Sequence, residues 1–479
     1  MAVTATVTAT IITITGGASS DVDADVVAAV NAVTAGTITG SGTAIDPYVI
    51  TTPSGWRRLA FNSGVEVTLS KKWQWGNINT TGQYIIYLYS GSNVTLDAGL
   101  EFDLSAGSAA EAYIVLYGGM ICSGTSGNEV TIKGYSRFYF YPRQVVDWDY
   151  VILSDNRHAS RYFLYIASGT TNIPAESVSI KNLTITNSGS ANATAFYLVY
   201  TGDISHWVLE DITIHNVARA LYALNATATI KGYTAYDCTN QDTFYRCGTN
   251  APNSYETSKD DTYYTGTGTP LQPRFIIEDG YWKDIDNGVY CIQVAYDSRL
   301  ELRNCEFEGD TYSGTQDAVY CQEGARVLWT GTSTFTNIQD TRERVWASQG
   351  THLHGHQVAI TVQDLDGNPV ENAFVSIIQS EGNEYWSGKT NASGQLKCSS
   401  GEDVVLIEKE ETSDETYDNW STDESSGLYH TIIVTADGYQ VEQSNYEITE
   451  EKDITVTLTP LGDGATTLYD CTMYDSTLY

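Results

Sequence analysis

Charge, cysteine and long apolar runs are all scarce in this chain. Charged residues make up 18% of the 479 residues, against about 25% in typical domains. The eight cysteines include no Cys-x-x-Cys pair, so zinc-ribbon and thioredoxin-like sites have no support. No run reaches the ~18 apolar residues that span a membrane. The first basic residue is Arg57, so we expect no secretion signal at the N-terminus.

The charge that is present is mostly negative. Lys and Arg number 25 and Asp and Glu number 59, which gives a net charge of −34. Nucleic acid and anionic membranes both require a basic surface, so we expect neither as a partner. Residues 351–479 hold 24 acidic and 4 basic residues, whereas residues 1–350 hold 35 and 21. This shift predicts a domain boundary near residue 350.

Two kinds of short apolar segment alternate through the middle of the chain. The second kind carries tyrosines that are predicted to form one column: Tyr197, Tyr222, Tyr245, Tyr290 and Tyr320. The first kind has a small or polar residue at a turn position. Most of these turn positions are 21–29 residues apart, and they are Ala98, Gly134, Asp155, Asn182, Asp211, Gly232, Asp279, Asn304 and Gly331. Such a spacing is typical of a solenoid, in which stacked coils share one core.

The fold class predicted from this repeat is all-β. Segments rich in β-branched and aromatic residues follow one another with no helical period between them. Their irregular turn lengths favour a right-handed parallel β-helix over residues 51–350. The tyrosine column has two interpretations, a stacked ladder that sets the register of the coils or an exposed platform on which sugar rings stack.

The ends of the chain and one long insertion depart from the repeat. Residues 1–50 are predicted to form a docking strand and, at 19–33, a capping helix with Val27, Val30 and Val33 at helical spacing. Residues 249–272 are polar and are predicted to form a long loop. The tyrosine-rich tail at 461–479 is predicted to pack on a neighbouring chain.

Residues 351–460 are predicted to form a second domain. Its strand at 358–364, its turn at Asp366-Gly367-Asn368-Pro369 and the later segments IIVTADGYQ (432–440) and ITVTLTP (454–460) resemble a carboxypeptidase-regulatory-like domain. The resemblance implies a small β-sandwich of immunoglobulin-like shape and leaves the function open. The acidic insert at 402–425 departs from the family pattern.

Enzyme machinery is hard to find in the sequence. A glycosidase needs two carboxylates about 5–10 Å apart, and Asp211, Asp237, Asp242 and Asp279 are the candidates for such a pair. Asp residues at the turns of a repeat also have a purely structural explanation. No GxSxG, HExxH or phosphate-binding loop is present, so we expect no catalytic residues and no bound organic cofactor.

Three of the seven histidines lie within five residues. His352, His354 and His356 alternate in the segment THLHGHQ, so an extended strand places all three on one face. Three chains around an axis would then offer six imidazoles to one transition metal, iron, zinc or nickel. The pattern is similar to the HxH metal sites of trimeric phage fibres and spikes. A histidine-rich linker between two domains is the alternative.

Together these features resemble a tailed-phage virion appendage, namely a tail fibre, a head fibre or a capsid decoration protein with a pectate-lyase-like β-helix and an Ig-like domain. The resemblance implies a non-enzymatic protein of the virion surface, a homotrimer that contacts other virion proteins through its termini and binds a host-surface glycan. One alternative is a tailspike-type polysaccharide depolymerase, and another is an extracellular adhesin or sheath protein.

Overall fold

The fold is given by a computed structural model. It describes residues 2–7, 11–18, 20, 22–34, 37–50, 58–75, 83–105, 112–141, 143–156, 162–167, 178–188, 193–204, 206–247, 275–285, 290–296, 298–309, 317–321, 325–338, 351–379, 384–397, 403–412 and 429–461. These residues fall into two compact units. The first contains the described residues up to 352 with 411 and 412, and the second contains those of 353–410 and 429–461.

The described residues are nearly all in strands, with one helix. In the first unit the elements are β1 Thr4–Val7, β2 Ile11–Thr15, α1 Asp23–Val33, β3 Ile38–Thr39, β4 Tyr48–Ile50, β5 Arg58–Phe61, β6 Glu66–Leu69, β7 Lys72–Trp75, β8 Gln83–Leu88, β9 Asn93–Asp97, β10 Glu101–Asp103, β11 Ala112–Leu116, β12 Gly119–Ser123, β13 Val130–Lys133, β14 Arg137–Phe140, β15 Val146–Asn156, β16 Tyr162–Ala167, β17 Val178–Ser188, β18 Thr194–Asp203, β19 Val208–His215, β20 Arg219–Thr227, β21 Thr229–Cys238, β22 Asp242–Tyr245, β23 Phe275–Glu278, β24 Tyr281–Ile285, β25 Tyr290–Ala295, β26 Arg299–Arg303, β27 Glu306–Glu308, β28 Asp317–Cys321, β29 Arg326–Thr330 and β30 Thr334–Thr336.

The first unit is built from strands stacked in parallel. Its described chain passes repeatedly through the same three strand positions, from β5–β6–β7 to β28–β29–β30. We call the stack that begins with β5 stack A; it continues through β8, β11, β14, β16, β18, β20, β22, β25 and β28. Stack B begins with β6 and stack C with β7, and both run through β15, β17, β19 and β21. This all-β path of parallel coils is consistent with the predicted β-helix.

Alternation of side chains explains the core of the first unit. In each strand, apolar residues at every second position point into the coil. The interior of stack A includes Phe138, Leu164, Phe196 and Leu221, all with 0% exposure, and these residues lie opposite one another in register. Each coil buries one layer of the core, so the coils stabilise one another.

The turns between stacks B and C form a column of left-handed residues. Asn182, Asp211, Gly232, Asp279 and Asn304 all have positive φ, between 49° and 64°. Asn, Asp and Gly are the residues that adopt this conformation most readily. Gly134 and Asp155 are also left-handed, but they lie at the end of stack C and belong to a second turn column. At Ala98 the next residue, Gly99, has φ +79° instead.

The N-terminal elements continue stack A and fix the helix. Strand β2 pairs with β1 in antiparallel and with β5 in parallel orientation. The Asp23 carboxylate, 2% exposed, accepts hydrogen bonds from the Trp73 indole (2.7 Å) and the Ser70 amide (2.7 Å). The helix lies within the predicted range, but its buried face is Val26 and Val30, and Val33 is 51% exposed.

The second unit contains two small groups of strands. Its elements are β31 Thr351–Asp364, β32 Phe374–Gln379, β33 Glu384–Lys389, β34 Gln395–Leu396, β35 Val404–Thr412, β36 Tyr429–Thr435, β37 Glu442–Glu447 and β38 Lys452–Leu458; the first two residues of β31 and the last two of β35 belong to the first unit. Strands β33, β32, β36 and β37 form an antiparallel sheet, and β31 pairs with β38 in parallel orientation.

Several predictions from the sequence concern residues outside the described ones. These are the loop at 249–272, most of the tail at 461–479 and the larger part of the acidic insert at 402–425. Six cysteines are described, and all six are buried thiols that form no disulfide with one another: Cys122, Cys238, Cys247, Cys291, Cys305 and Cys321. In the part of the chain that the structure describes, no helix is long and apolar enough to cross a membrane.

Candidate functional site on the tyrosine-rich stack

The outer face of stack A carries a continuous array of tyrosines. Tyr139, Tyr165, Tyr197 and Tyr222 lie opposite one another in successive strands. Each follows an inward-facing apolar residue by one position, so it points away from the core. All four are half-buried, which leaves part of each ring open to solvent. We call these residues, with the neighbouring Tyr87, Tyr117, Tyr141 and Tyr162, the tyrosine face.

The rings of the tyrosine face stack along the coil axis. The planes of Tyr165 and Tyr197 are inclined by 18°, with their centroids 5.5 Å apart. Tyr162 lies against Tyr197 at 3.8 Å, also inclined by 18°. On the other side, Tyr117 and Tyr141 are stacked at 5.4 Å. The close strand spacing holds the rings near one another, so the face is ordered before any ligand binds.

Three arginines lie among these rings. The guanidinium carbon of Arg137 is 4.9 Å from the ring centroid of Tyr139 and 5.1 Å from that of Tyr162. It is also within 6 Å of the Tyr113 and Tyr165 rings. Arg143 lies 5.4 Å from the Tyr117 ring and Arg219 lies 5.5 Å from the Tyr222 ring. These are cation–π distances, and they fix the guanidinium groups on the face.

The hydroxyls of Tyr197 and Tyr222 on this face stay protonated at neutral pH. Burial raises the pKa of Tyr222 to about 12, and burial together with the hydrogen bond to Tyr162 raises the pKa of Tyr197 further. A neutral phenol both donates and accepts hydrogen bonds. Each exposed ring edge therefore offers a flat apolar surface beside a hydroxyl, the combination that suits a pyranose ring with its own hydroxyls.

The predicted tyrosine column is wrong in part. Tyr197 and Tyr222 are in register, but Tyr222 pairs with Thr243, and Tyr245 lies opposite Leu224. The inward-facing Phe244 lies opposite Ala223 and not opposite Leu221, so Tyr245 lies two positions further along the strand than Tyr222. It still faces outward and meets Tyr222 edge-on at 5.7 Å.

Tyr290 is displaced as well. Tyr320 pairs with Gln293, whereas Tyr290 lies opposite Asp317. Tyr290 and Tyr320 nevertheless stack, with their centroids 4.8 Å apart and their planes inclined by 20°.

The candidate carboxylates are not gathered into one accessible site. Asp242 is 2% exposed and accepts hydrogen bonds from Tyr233 (2.7 Å) and Trp282 (2.8 Å). Burial raises its pKa to about 6, against the effect of these hydrogen bonds. Asp211 and Asp279 are exposed residues of the left-handed turn column, where backbone conformation accounts for them.

The three histidines lie at alternate positions of β31, as the extended interpretation requires. His352 is 0% exposed, and its Nδ1 lies 2.9 Å from the indole nitrogen of Trp329, which donates the hydrogen bond. His356 Nε2 lies 2.6 Å from Glu408 Oε2. Among the described residues of the single chain, no group of three His, Cys, Asp or Glu side chains is arranged to hold a metal. A metal shared between chains stays a prediction.

The arginines of the tyrosine face were not identified from the sequence. Arg137 and Arg219 each begin a strand of stack A, three residues or fewer before a tyrosine of the face. That recurrence is the signal that could have identified them. No family model, curated protein or solved structure that we compared with this chain matches it.

Proposed function

We propose that this chain is a non-enzymatic structural protein of a phage virion surface that binds a host-surface glycan through the tyrosine face. The single observation that carries the glycan binding is the array of half-exposed, pre-stacked rings on successive coils. Aromatic faces with a polar edge suit sugar rings, because C–H groups pack on the ring and hydroxyls bond at its edge. Preorganised rings lose little entropy on binding.

The repeat distance of the array suits a polymer. Successive coils place one tyrosine every ~4.8 Å, which is close to the length of one sugar residue. A chain lying along the coil axis would thus meet several rings at once. Weak contacts repeated along a polymer give useful avidity. The same face is compatible with a tailspike-type depolymerase only if a carboxylate pair acts beside it.

The handedness of the coils and the fold of the second unit are also part of this proposal. We take the coils of the first unit as a right-handed parallel β-helix, since nearly all crossover connections between parallel strands are right-handed. We take the second unit as an Ig-like domain because an antiparallel four-stranded sheet lies beside a second group of strands. Both kinds of domain occur together in virion appendages, so the assignment to a virion is argued by analogy of fold.

Binding to purified bacterial surface polysaccharides tests the glycan proposal. Isothermal titration of the full chain against a panel of capsular and lipopolysaccharide glycans should identify at least one ligand. Replacing both Tyr165 and Tyr222 with Ala should lower its affinity at least tenfold. Tyr446→Ala, a half-buried tyrosine of the second unit, is the matched control and should bind normally. Equal binding by all three proteins would overturn the proposal.

The non-enzymatic part has its own readout. Size-exclusion chromatography of the bound polysaccharide after long incubation should show an unchanged chain length. Shortened chains would identify the depolymerase alternative instead. Light scattering should give the mass of three chains if the protein is a homotrimer, and antibody labelling of purified particles should place it on the virion surface.

A further inference from the structure

Among the described residues, the arginines of the tyrosine face form no ion pair with a carboxylate, although Arg219 lies close enough to the buried Asp242 to oppose the rise that burial causes in the pKa of its carboxyl. Arg137 donates a hydrogen bond to the Tyr139 hydroxyl at 2.6 Å, and Arg219 donates one to the Gln241 carbonyl at 3.1 Å. Neither these two nor Arg143 forms an ion pair with any residue that the structure describes. In a chain with 59 acidic residues and 25 Lys and Arg, three cations on one face without a carboxylate call for an explanation.

The outer faces of stacks B and C show the opposite arrangement. Glu101 lies 2.9 Å from Lys72 and 2.6 Å from Lys133, its neighbours in the adjacent strands. Lys181 pairs with Glu210 at 3.1 Å, and Lys283 pairs with Glu308 at 2.8 Å. Where this chain places a lysine on a coil, it usually places a carboxylate beside it. Arg137, Arg143 and Arg219 have no such carboxylate within ion-pair distance among the described residues.

Acidic residues are few in the strands of stack A. Seven of the ten stack A strands contain no Asp or Glu: β5, β8, β11, β14, β16, β20 and β25. The other three each contain one Asp, which is Asp203 at the end of β18, Asp242 in β22 and Asp317 in β28. The acidic residues of β22 and β28 are Asp242 and Asp317, which are 2% and 3% exposed and point away from the face. Among the described side chains, the tyrosine face therefore carries a positive local charge, although the whole chain is strongly negative.

We propose that the tyrosine face binds an anionic glycan, a polysaccharide carrying carboxylate or sulfate groups, with Arg137, Arg143 and Arg219 as the anion contacts. This inference rests on the proposed glycan binding and names the class of sugar. Arg forms paired, charge-assisted hydrogen bonds with such groups. Its guanidinium keeps these donors while it lies flat on a tyrosine ring.

The negative charge of the rest of the chain favours this ligand class in one further way. An acidic polymer is repelled by residues 351–479, which hold 24 acidic and 4 basic residues, and it finds no excess of positive charge at the lysine–glutamate pairs, so the tyrosine face is the favoured contact among the described surfaces. A neutral glycan has no such reason to prefer one face. An acidic protein partner would share the negative charge but would lack sugar rings. Competition by polyglutamate in the test below distinguishes such a partner from a glycan.

Matched pairs of polysaccharides test the inference. We would titrate the full chain with polygalacturonate and with its carboxyl-reduced form, and with dextran sulfate and dextran. The two pairs separate carboxylate from sulfate as the group that is bound. The variant is the triple substitution Arg137→Gln, Arg143→Gln and Arg219→Gln. The control, Lys181→Gln, removes a positive charge from an exposed pair on stack B.

We expect the charged polysaccharide of at least one matched pair to bind at least about tenfold more tightly than its neutral partner. The triple variant should lose that preference, raising salt should weaken it, and Lys181→Gln should leave it unchanged. One outcome is equal affinity for the charged and neutral forms, with that affinity reduced by Tyr165→Ala and Tyr222→Ala. It would overturn the anionic ligand and retain the glycan binding. If the Tyr165→Ala and Tyr222→Ala substitutions leave the affinity for charged forms unchanged, or if polyglutamate competes as well as the polysaccharides do, both the anionic ligand and the glycan binding are overturned.

Discussion

The rings of Tyr197 and Tyr222, which lie opposite each other on adjacent coils, are 5.0 Å apart at their centroids and inclined by 22°. One position earlier in the same two strands, Phe196 and Leu221 are completely buried. The coil therefore separates its two aromatic roles by parity. Inward residues form the core. Outward tyrosines form a surface that contributes less to the free energy of unfolding and is accessible to a ligand.

This separation predicts unequal effects of truncation on the free energy of unfolding. Phe196→Ala should cost about 3–5 kcal/mol, because it leaves a cavity inside the coil. Tyr222→Ala should cost about 1–2 kcal/mol, because its ring is half-exposed and loses only part of its contacts. Chemical denaturation of both variants measures the difference. Equal losses would place Tyr222 in the core and remove the basis of the glycan proposal.

The buried Asp242 carboxyl should make stability depend on pH. Its pKa is raised by burial to about 6 in the folded state, against about 3.9 in an unfolded chain. The folded state therefore binds the proton more tightly, so this group stabilises the fold as pH falls from above 6 toward 4 and its contribution is lost as pH rises through 6. The groups facing it are Tyr233, Trp282, the Leu221 amide and Arg219.

Asp242→Asn tests that dependence. Many other carboxylates titrate in the same range, so the quantity to compare is the slope of unfolding free energy against pH in the variant and the parent. The variant should lose the component between pH 4 and 6. Asp237→Asn, at an exposed turn position, should keep it. Identical slopes in parent and Asp242→Asn would show that Asp242 does not hold the proton.

Much of the coil could be predicted because it depends on local chemistry. Asn182, Asp211 and Asp279 occupy left-handed turns for reasons that belong to their own side chains. Register between coils depends on distant contacts, and there the prediction failed. Asp242 is held in the core by the distant Tyr233 and Trp282, and in the register that includes this contact Tyr245 lies opposite Leu224, two positions beyond Tyr222.

The arginines show the same limit. Arg137 in β14 contacts rings from β11 and β16, strands that are separated from it by turns of unequal length. In the sequence alone, arginines lie near tyrosines at many positions, and their spacing does not show which of these residues share a face. Only the stacked coils show which of them lie on one face and lack a carboxylate neighbour.

The turn column predicts a specific cost for an added methyl group. Gly331 has φ +65°, and a Cβ there would lie 2.0 Å from Asn304 Oδ1, which accepts a hydrogen bond from the Thr332 amide at 3.0 Å. Gly331→Ala should destabilise the fold by about 2–4 kcal/mol, from left-handed strain and the displaced Asn304 side chain. Gly127, with φ +81° and open space around it, is the control: Gly127→Ala should cost only about 1–2 kcal/mol.

The contrast between these two glycines is measured by thermal or urea unfolding of the paired variants. Asn304→Gly in the Gly331→Ala background should recover part of the loss, because it removes the atom that the new methyl group meets and glycine tolerates the left-handed backbone of position 304 (φ 51°). Equal costs at both glycines would mean that Asn304 moves aside freely and that the turn column does not couple adjacent coils.

The histidines of β31 give the last prediction. If three chains bring His352, His354 and His356 around one axis, each metal joins three chains and requires neutral imidazoles. Elemental analysis of protein purified without a histidine tag should then find about one iron, zinc or nickel ion per three chains. Acidification through about pH 6 should release it and shift the mass measured by light scattering from three chains toward one. His354→Ala with His356→Ala should do the same at neutral pH. His352→Ala is a separate variant, because it also removes the buried acceptor of the Trp329 indole and should lower the melting temperature with or without metal. A metal-free protein whose mass is unaffected by the double substitution would retire the shared metal site and leave His356 with only its contact to Glu408.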